Sequence, residues 1–394
     1  MNILRKAMTG AVALCAAASL AACSGNSTDT TPSAEPTQAD KALTVTDVTG
    51  REVTFDHAPE RIVLGEGRGV FATALLGGDP FDHVVAYGND LTKAAPAFKD
   101  KVFEISEGAM KAQEIGNIGK GDVSLETLMA QDPDVVVMTL DQKKVAEESG
   151  LLEKMDQTGM KYVFTDFRQS PLEHTVSSVQ LLGDLLGKSE RAKEYGEFYE
   201  SKVEEIKGRV EEAVAKDGEK DGLIWSAAGF VDCCSTPGKA NLGQLLTAAG
   251  GNNLGEQLIT ADSKQFSAEK MIELQPENLI VTGGEWARKP DQPDTFSHVE
   301  LGYQSSPQRA AETLNNPLGT PGLDLLQAPK QGKYFAVYHQ FYDNPYNVFA
   351  LEAFAKWLHP EAFADMDPAK DFEQFHADWL PFDYSGAFFA QAQQ

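Results

Sequence analysis

The feature that most constrains the fold is a long segment, residues 190–216, in which apolar side chains recur with the period of an α-helix. Its apolar positions are Ala192, Tyr195, Phe198, Val203, Ile206, Val210 and Val214. We predict Ser189 as its N-cap and Gly218 as its stop. At 1.5 Å per residue the helix would span about 40 Å, long enough to join two lobes. A surface helix within one domain is the alternative.

On both sides of this segment, short β-rich runs alternate with amphipathic helical stretches, which is typical of an α/β fold with largely parallel strands. Two opening runs around Thr49-Gly50 predict a small hairpin. The predicted hairpin strands are 43–46 and 52–55, and the other predicted strands are 61–64, 84–87, 135–138, 162–164, 223–226, 279–281 and 334–338.

The N-terminus indicates secretion. Arg5 and Lys6 precede an apolar run, residues 11–22, that is too short for a membrane-spanning helix and typical of a secretory signal. Leu20-Ala21-Ala22-Cys23 resembles a bacterial lipobox, which predicts cleavage after residue 22 and a lipid on Cys23. A plain cleavage site is the alternative. Residues 23–42, rich in Ser, Thr, Pro and acidic side chains, then predict a flexible tether.

Composition excludes several functions. The 394 residues carry a formal net charge of −25, so no basic excess is available to bind nucleic acid. The four cysteines are too few for a disulfide scaffold. Cys233 and Cys234 could form a strained vicinal disulfide or remain two buried thiols, and no nearby soft ligands complete a metal site with them.

A short internal repeat suggests two lobes of similar construction. Ser124-Leu125-Glu126 precedes a Pro turn and an apolar run, and Ser267-Ala268-Glu269 does the same 143 residues later. In each copy a capped helix is predicted to lead into a buried strand. We therefore predict an N-terminal lobe over residues 43–188, a connecting helix over 189–217 and a C-terminal lobe over 218–394.

The order of these landmarks resembles the cluster A substrate-binding lipoproteins of ABC importers for ferric siderophores, haem and cobalamin. The resemblance covers nearly all of residues 43–394, and it rests on order and spacing because no single motif is specific. The motifs are Val45-Thr46-Asp47, Gly50-Arg51-Glu52-Val53, Pro59-Glu60-Arg61-Ile62-Val63, Gly116-Asn117-Ile118-Gly119, Pro133-Asp134-Val135-Val136, Leu245-Leu246-Thr247-Ala248-Ala249-Gly250-Gly251 and Ala355-Lys356-Trp357-Leu358-His359-Pro360-Glu361.

The resemblance implies two Rossmann-like α/β lobes joined by one long α-helix, with a ligand cleft between the lobes. It also implies that Glu126 and Glu269 dock onto arginines of an ABC permease. The alternative is that each glutamate is only a first-turn residue favoured by the helix dipole. The chain departs from many relatives at Gly65-Glu66-Gly67-Arg68-Gly69, where a Ser-rich turn is more usual.

In open α/β sheets, ligands bind beyond the carboxyl ends of the strands, so residues at or just after the carboxyl ends of the predicted strands are candidate ligand contacts. These candidates are Arg68, Arg168, Trp225, Phe230, Trp286, Arg288, Tyr338, His339 and Tyr342. Arginines concentrated in one cleft of so acidic a protein would indicate an anionic ligand. The aromatic residues suit a planar or partly apolar chelate.

Each candidate could instead have a purely structural role. Arg68, Arg168 and Arg288 could pair with Glu66, Asp166 and Glu285 as surface salt bridges. Trp225 and Tyr338 lie within predicted strands and could belong to the core. Tyr342 and Tyr346 could simply hold a turn, and His339 could be a polar residue at a strand end instead of an iron ligand.

The sequence favours a binding protein over an enzyme. It contains no phosphate-binding loop, H-E-x-x-H motif or G-x-S-x-G elbow. We predict a monomeric, lipid-anchored receptor on the extracytoplasmic face of a bacterial membrane, which delivers a ferric siderophore to an ABC permease. It needs no cofactor and no direct metal ligand, because the chelator holds the iron. Haem or cobalamin is the alternative ligand, and an extracellular hydrolase is the less favoured function.

Overall fold

The computed structural model describes residues 42–231, 233–259, 265–286 and 298–392. The predicted signal segment, Cys23 and the tether up to residue 41 lie outside this range. The described chain opens with an antiparallel hairpin, β1 (Leu43–Thr46) and β2 (Glu52–Phe55), at the predicted positions. Its turn requires glycine at Gly50, where φ is 79°.

The first lobe contains a five-stranded parallel sheet with the order β5-β4-β3-β6-β7. Its strands are β3 (Ile62–Leu64), β4 (Val84–Gly88), β5 (Gln113–Ile115), β6 (Val135–Thr139) and β7 (Tyr162–Thr165). Since β3 and β6 occupy the centre of the sheet, they are buried along their whole length.

The second lobe contains another five-stranded sheet, with the order β12-β11-β10-β8-β9. Its strands are β8 (Lys220–Trp225), β9 (Gly251–Asn253), β10 (Asn278–Gly283), β11 (Tyr334–Tyr338) and β12 (Phe389–Gln391). All neighbours are parallel except β12, which runs antiparallel to β11 at the edge.

Helices cover the sheets and connect their strands. In the first lobe they are α1 (Val70–Thr73), α2 (Asp90–Ala94), α3 (Pro96–Ile105), α4 (Leu125–Met129), α5 (Leu140–Glu148), α6 (Leu151–Thr158) and α7 (Pro171–Leu185). The long helix α8 (Ser189–Asp217) follows. The second lobe has α9 (Leu242–Ala248), α10 (Ala268–Leu274), α11 (Pro307–Thr313), α12 (Gln327–Lys330), α13 (Val348–Leu358) and α14 (Pro368–Trp379). Short 3₁₀ turns join several of them.

Helix α8 contains 29 residues and connects the two lobes, packing against α7 of the first and α13 of the second. Tyr195 donates a hydrogen bond to the carbonyl of Pro345 at 2.6 Å, and Tyr199 donates one to Asn347 at 2.7 Å. The prediction of Gly218 as the stop is confirmed, with φ of 74°. The prediction of Ser189 as N-cap is wrong by one residue, because Lys188 has the non-helical backbone of the cap and Ser189 begins the helix.

The two lobes share one hydrophobic core. A continuous cluster of buried side chains extends from Val45 in the hairpin to Phe388 in the second lobe, while a smaller cluster fills the other side of the first sheet. Across the lobes, Phe71 and Tyr346 meet edge to face at 5.5 Å, and the Tyr346 hydroxyl donates to the Phe71 carbonyl at 2.8 Å. Such dense contact restricts relative motion of the lobes to small displacements.

The fold predicted from the sequence is confirmed: two α/β lobes with parallel sheets and one long helix between them. Three short edge strands, β5, β9 and β12, were not predicted. Within the described ranges, no helix combines the length and hydrophobicity required to cross a membrane.

Candidate functional site

The carboxyl ends of the two sheets face a common cleft. The segment after β3 supplies Arg68, the segment after β7 supplies Arg168, and the segment after β11 supplies Tyr342 and Asp343. Gly67 makes this convergence possible, because a Cβ at that position would lie 2.1 Å from the carbonyl oxygen of Gly88 at the end of β4. The glycine-rich turn therefore brings the neighbouring strand ends close together and buries Arg68.

Arg68 makes a complete set of hydrogen bonds in the floor of the cleft. Its Nε donates to Asp90 at 3.1 Å, and its Nη1 donates to Tyr342 at 2.5 Å and to Gln340 at 3.2 Å. Its Nη2 pairs with Glu66 and lies 3.0 Å from Asp343. Arg68 thus joins three carboxylates, one of which belongs to the opposite lobe.

Arg168 lies beside Arg68 and shares three of its partners, Glu66, Asp343 and Tyr342. Its Nη1 lies 2.5 Å from Asp141, and its Nη2 lies 3.0 Å from Glu66 and also contacts Asp343. The Tyr342 hydroxyl, 3.2 Å from the same nitrogen, completes the arrangement. We call Glu66, Arg68, Asp90, Asp141, Arg168, Tyr342 and Asp343 the cleft charge cluster.

The charges of this cluster shift the pKa values of its carboxyl groups in opposite directions. Burial alone would raise the pKa of Glu66, but the neighbouring Arg68 and Arg168 outweigh it and hold this pKa far below its usual range. Burial raises the pKa of Asp343 well above its usual value, and the charge of Glu66 adds to this effect. The buried Glu66 therefore remains ionised beside the two arginines.

Three carboxylates of the cluster are close enough to suggest a cation site. Oxygen atoms of Glu66, Asp141 and Asp343 lie within 4.8 Å of one another. However, Arg168 contacts all three carboxylates, so a guanidinium group already occupies the position from which an ion would bind them. The donor set fits an ion-pair cluster better than a metal centre.

Aromatic side chains form the second-lobe wall of the cleft. Phe230 and Trp286 stack with ring centroids 4.3 Å apart and an interplanar angle of 19°. The rings of His298 and His339 approach Trp286 edge-on at 5.0 and 5.2 Å. His339 also packs 4.7 Å from Tyr342, so the aromatic wall is continuous with the cleft charge cluster.

His339 is held as a neutral imidazole. Its Nδ1 lies 2.7 Å from the hydroxyl of Thr282, at the end of β10. Burial lowers the pKa of His339 to about 3, and the positive charges of Arg68 and Arg168 contribute to the shift. A neutral imidazole can ligate a metal ion or exchange hydrogen bonds with a ligand.

A cavity of about 260 Å³ lies between the lobes next to Trp286. Its lining residues are Pro96, Gly284, Glu285, Trp286, His298, Glu300, Gln304 and Ser305. Glu285 accepts a hydrogen bond from the backbone of Gln304 at 2.6 Å, and among the described residues its other oxygen has no hydrogen-bond partner. Burial raises the pKa of Glu285 to about 7. An aromatic face and an incompletely paired carboxyl group thus border the same space.

The predicted ligand residues do not all reach the cleft. Arg68, Arg168, Phe230, Trp286, His339 and Tyr342 come together there. Trp225 and Tyr338 occupy core positions, with 0% and 2% of their surface exposed. Arg288 lies outside the described residues.

The salt-bridge interpretation of the arginines has a mixed outcome. Arg68 does pair with Glu66, but the pair is buried in the cleft instead of exposed at the surface. Arg168 does not form a side-chain ion pair with Asp166. The Asp166 carboxylate accepts one hydrogen bond from the Arg168 backbone N–H at 2.9 Å and lies 2.8 Å from Nδ1 of His174.

Two further predictions concern a turn and the vicinal cysteines. Tyr346 holds its turn through a hydrogen bond to Phe71 of the first lobe. Cys233 and Cys234 are joined as a disulfide, which was one of the two states that the sequence allowed.

Two acidic residues of the site, Asp90 and Asp141, were not predicted. Asp90 follows β4 and Asp141 follows β6, and the sequence predicts both of these strands. The same rule that selected Arg68, namely that functional residues follow the strands, would have selected these aspartates. His298 and Gln304 follow no strand directly, and no sequence pattern indicated them.

The two candidate docking glutamates occupy equivalent positions. Ser124 caps α4 by accepting a hydrogen bond from Thr127, and Ser267 caps α10 through Lys270 in the same way. Glu126 and Glu269 are therefore both at the second helical position, and both are exposed. Hydrogen bonds to their own backbone and to Ser124 or Ser267 lower the pKa of each carboxyl group, so both are ionised at neutral pH.

The sequence matches the family of periplasmic binding proteins over residues 81–298, more than half of the chain. The chain belongs to this family. Periplasmic binding proteins bind small molecules and work with ABC permeases, so this one is a solute-binding protein of an ABC importer. No significant match exists among curated proteins.

Solved structures support the same placement of this periplasmic binding protein. It is similar to the TroA-like periplasmic binding protein FepB of Veillonella parvula, with 25% identity and a TM-score of 0.75 over 89% of this chain and 100% of that chain. Two other similarities, at lower identity, show the fold alone. MolA of Haemophilus influenzae, bound to molybdate, is 17% identical with a TM-score of 0.65, over 87% of this chain and 99% of that one. A periplasmic haem-binding protein of Pseudomonas aeruginosa is 18% identical with a TM-score of 0.52, over 77% and 94%.

Proposed function

We propose that this periplasmic binding protein captures a ferric siderophore in the cleft between its lobes and delivers it to an ABC permease. The observation that carries the proposal is the meeting of Trp286, His339 and Tyr342 with two arginines at the carboxyl ends of both sheets. Ligands of two-lobed α/β proteins bind at such a junction.

The chemistry of the cleft suits an organic chelate better than a bare ion. The Phe230–Trp286 stack offers an aromatic wall to the apolar rim of a chelate, while Tyr342 and Gln304 offer polar groups. The carboxylates that could hold an uncomplexed metal are engaged by Arg68 and Arg168. Iron would therefore enter already enclosed by its chelator.

Haem is the second candidate ligand, because His339 is a neutral imidazole beside Trp286 and Tyr342. A haem receptor needs an axial ligand of this kind. His339→Ala would abolish haem binding but only weaken the binding of a siderophore, whose iron is already saturated by the chelator.

For delivery, we propose that Glu126 and Glu269 dock onto arginines of the permease, and that a lipid on Cys23 keeps the monomeric receptor at the extracytoplasmic membrane surface. Both glutamates are exposed and ionised at equivalent points of the two lobes. Two equivalent acidic contacts would fix the orientation of the receptor on the permease.

Calorimetric titration of the purified protein tests the ligand. The panel contains ferric hydroxamate, catecholate and carboxylate siderophores, their iron-free forms, haem and cobalamin. We expect saturable binding of one ferric siderophore class, weakened at least tenfold by Trp286→Ala, because buried aromatic contacts dominate binding energies. Trp379→Phe, on α14 away from the cleft, is the control. Absence of binding across the panel by folded protein would refute the proposal.

A further inference from the structure

Carboxyl groups outnumber guanidinium groups in the cleft, although the sequence analysis selected this site by its arginines. The cleft charge cluster contains four acidic side chains, Glu66, Asp90, Asp141 and Asp343, against two arginines. Arg68 contacts three of these carboxyl groups and Arg168 also contacts three. Among the described residues of the cluster, each arginine is therefore surrounded by acidic partners.

The terminal nitrogens of both arginines in the cluster are already engaged, although Nε of Arg168 has no hydrogen-bond partner among the described residues. The Nε, Nη1 and Nη2 atoms of Arg68 each donate to an oxygen of the protein, from Asp90, Gln340, Tyr342, Glu66 and Asp343. Both terminal nitrogens of Arg168 contact carboxylates. An anionic ligand would have to displace these buried ion pairs and leave their carboxylates uncompensated, which is energetically costly.

The adjoining cavity beside Trp286 also favours a ligand without negative charge. Of its described lining residues, the charged ones are Glu285 and Glu300. Glu300 is neutralised by Arg309, which makes two hydrogen bonds to it at 2.7 Å. Among the described residues, Glu285 accepts a hydrogen bond from the backbone of Gln304 at one oxygen and has no partner at the other, and it lies next to Trp286. A carboxyl group beside an aromatic ring is a recognition element for a positively charged group.

We propose that the cleft selects an iron chelate without net negative charge, of the ferric hydroxamate class, and that Glu285 and Trp286 receive a positively charged group of it. This inference rests on the proposed function and specifies its substrate class. Three hydroxamate groups balance the charge of ferric ion, and a pendant ammonium makes the complex cationic, whereas three catecholate groups leave it strongly anionic. It reverses the expectation that the arginines of the cleft indicate an anionic ligand.

The experiment compares three chelates by calorimetry at pH 8, where Glu285 is ionised. The probes are the monocationic ferric complex of desferrioxamine B, the same complex with its terminal amine acetylated and therefore neutral, and a trianionic ferric tris-catecholate. We expect the cationic complex to bind at least tenfold more tightly than the tris-catecholate, with the neutral complex between them. Added salt should weaken the cationic complex most.

Two variants test whether Glu285 is the group that binds the positive charge of the chelate. Glu285→Gln keeps the side-chain size and should weaken the cationic complex severalfold more than the neutral one. Glu312→Gln, on the exposed face of α11, is the matched control and should change neither. Equal or tighter binding of the tris-catecholate would overturn the inference while leaving the siderophore function intact. Binding of none of the three would also overturn the inference. The proposed function is contradicted only if every ferric siderophore of the wider panel, including the carboxylate class, also fails to bind.

Discussion

Arg68 of the first lobe and Asp343 of the second form an ion pair across the cleft, with Arg68 Nη2 3.0 Å from Asp343 Oδ2. Only 8% of the arginine side chain and 2% of the aspartate side chain are exposed. Because Arg68 also holds Glu66 and Asp90, a single guanidinium group connects the lobes and neutralises the strand ends of the first sheet.

Replacing this guanidinium group should strongly destabilise the fold. Arg68→Met removes the arginine partner of Asp90 and one of the two arginines that pair with Glu66 and Asp343, and breaking buried pairs in this way costs about 3–5 kcal/mol. The free energy of unfolding, measured by urea denaturation, checks the value. Arg309→Met removes an exposed arginine that pairs with Glu300 and should have little effect. Equal losses in the two variants would show that the cleft pair does not hold the lobes together.

The raised pKa of Glu285 predicts a stability that decreases with pH. The folded protein keeps this proton up to about pH 7, whereas the unfolded chain releases it near 4.5, so stability falls as pH rises through that interval. Glu285→Gln should abolish this pH-dependent part of the free energy of unfolding. Relative to wild type, the variant should therefore become more stable by on the order of 2 kcal/mol as the pH rises from 5 to 8. Thermal unfolding of both proteins at the two pH values measures the difference, and parallel pH profiles would contradict the shift.

Replacing either of two glycines near the long helix by alanine should change the free energy of unfolding, in opposite directions at the two positions. Gly208 lies on the exposed face of α8, and a Cβ there would have no atom within 4 Å, so Gly208→Ala should stabilise by about 0.5–1 kcal/mol. Gly183 on α7 packs against α8, and its Cβ would lie 2.4 Å from that of Ala192. Gly183→Ala should therefore destabilise by about 1–3 kcal/mol. Unfolding free energies that change in the same direction would refute this account of the α7–α8 contact.

The docking hypothesis predicts that transport and binding can be separated. Glu126→Ala and Glu269→Ala should each reduce uptake of a labelled ferric siderophore severalfold, because each removes a charge-assisted contact with the permease. The affinity of the purified variants for the siderophore should not change, since neither residue lies in the cleft. Glu148→Ala, at the end of α5, provides an exposed acidic control. Uptake at the wild-type rate in both docking variants would remove the case for these contacts.

How far the sequence predicts the fold depends on where a strand lies in its sheet. The hairpin strands and β11 were predicted with their observed bounds, because apolar runs and turn residues delimit them. The missed strands β5, β9 and β12 are three residues long and occupy sheet edges. Such strands are held by hydrogen bonds to a neighbour and need little hydrophobicity of their own, so no periodicity identifies them.

The sequence predicted the position of the candidate site, but it did not predict that the arginines there are paired with carboxylates. The rule that ligand residues follow parallel strands led to Arg68, Arg168 and Tyr342, which the structure brings together. Glu66, two residues from Arg68, was named as its possible partner from the sequence, but other carboxylate partners come from distant parts of the chain. Arg168 and Asp343, for example, are 175 residues apart. Whether an arginine in a cleft is free or paired depends on tertiary contacts of this kind, which spacing along the sequence does not encode.

The continuous core also determines whether one lobe could be exchanged for that of another protein. The two lobes are built on the same plan, because each contains a serine-capped helix that leads into a central strand. Lobes of this kind could in principle be exchanged between proteins. Here the interior of one half is completed by side chains of the other, from Val45 to Phe388. Neither lobe could be grafted onto a different receptor without exposing part of its interior, so we expect the two lobes to unfold together.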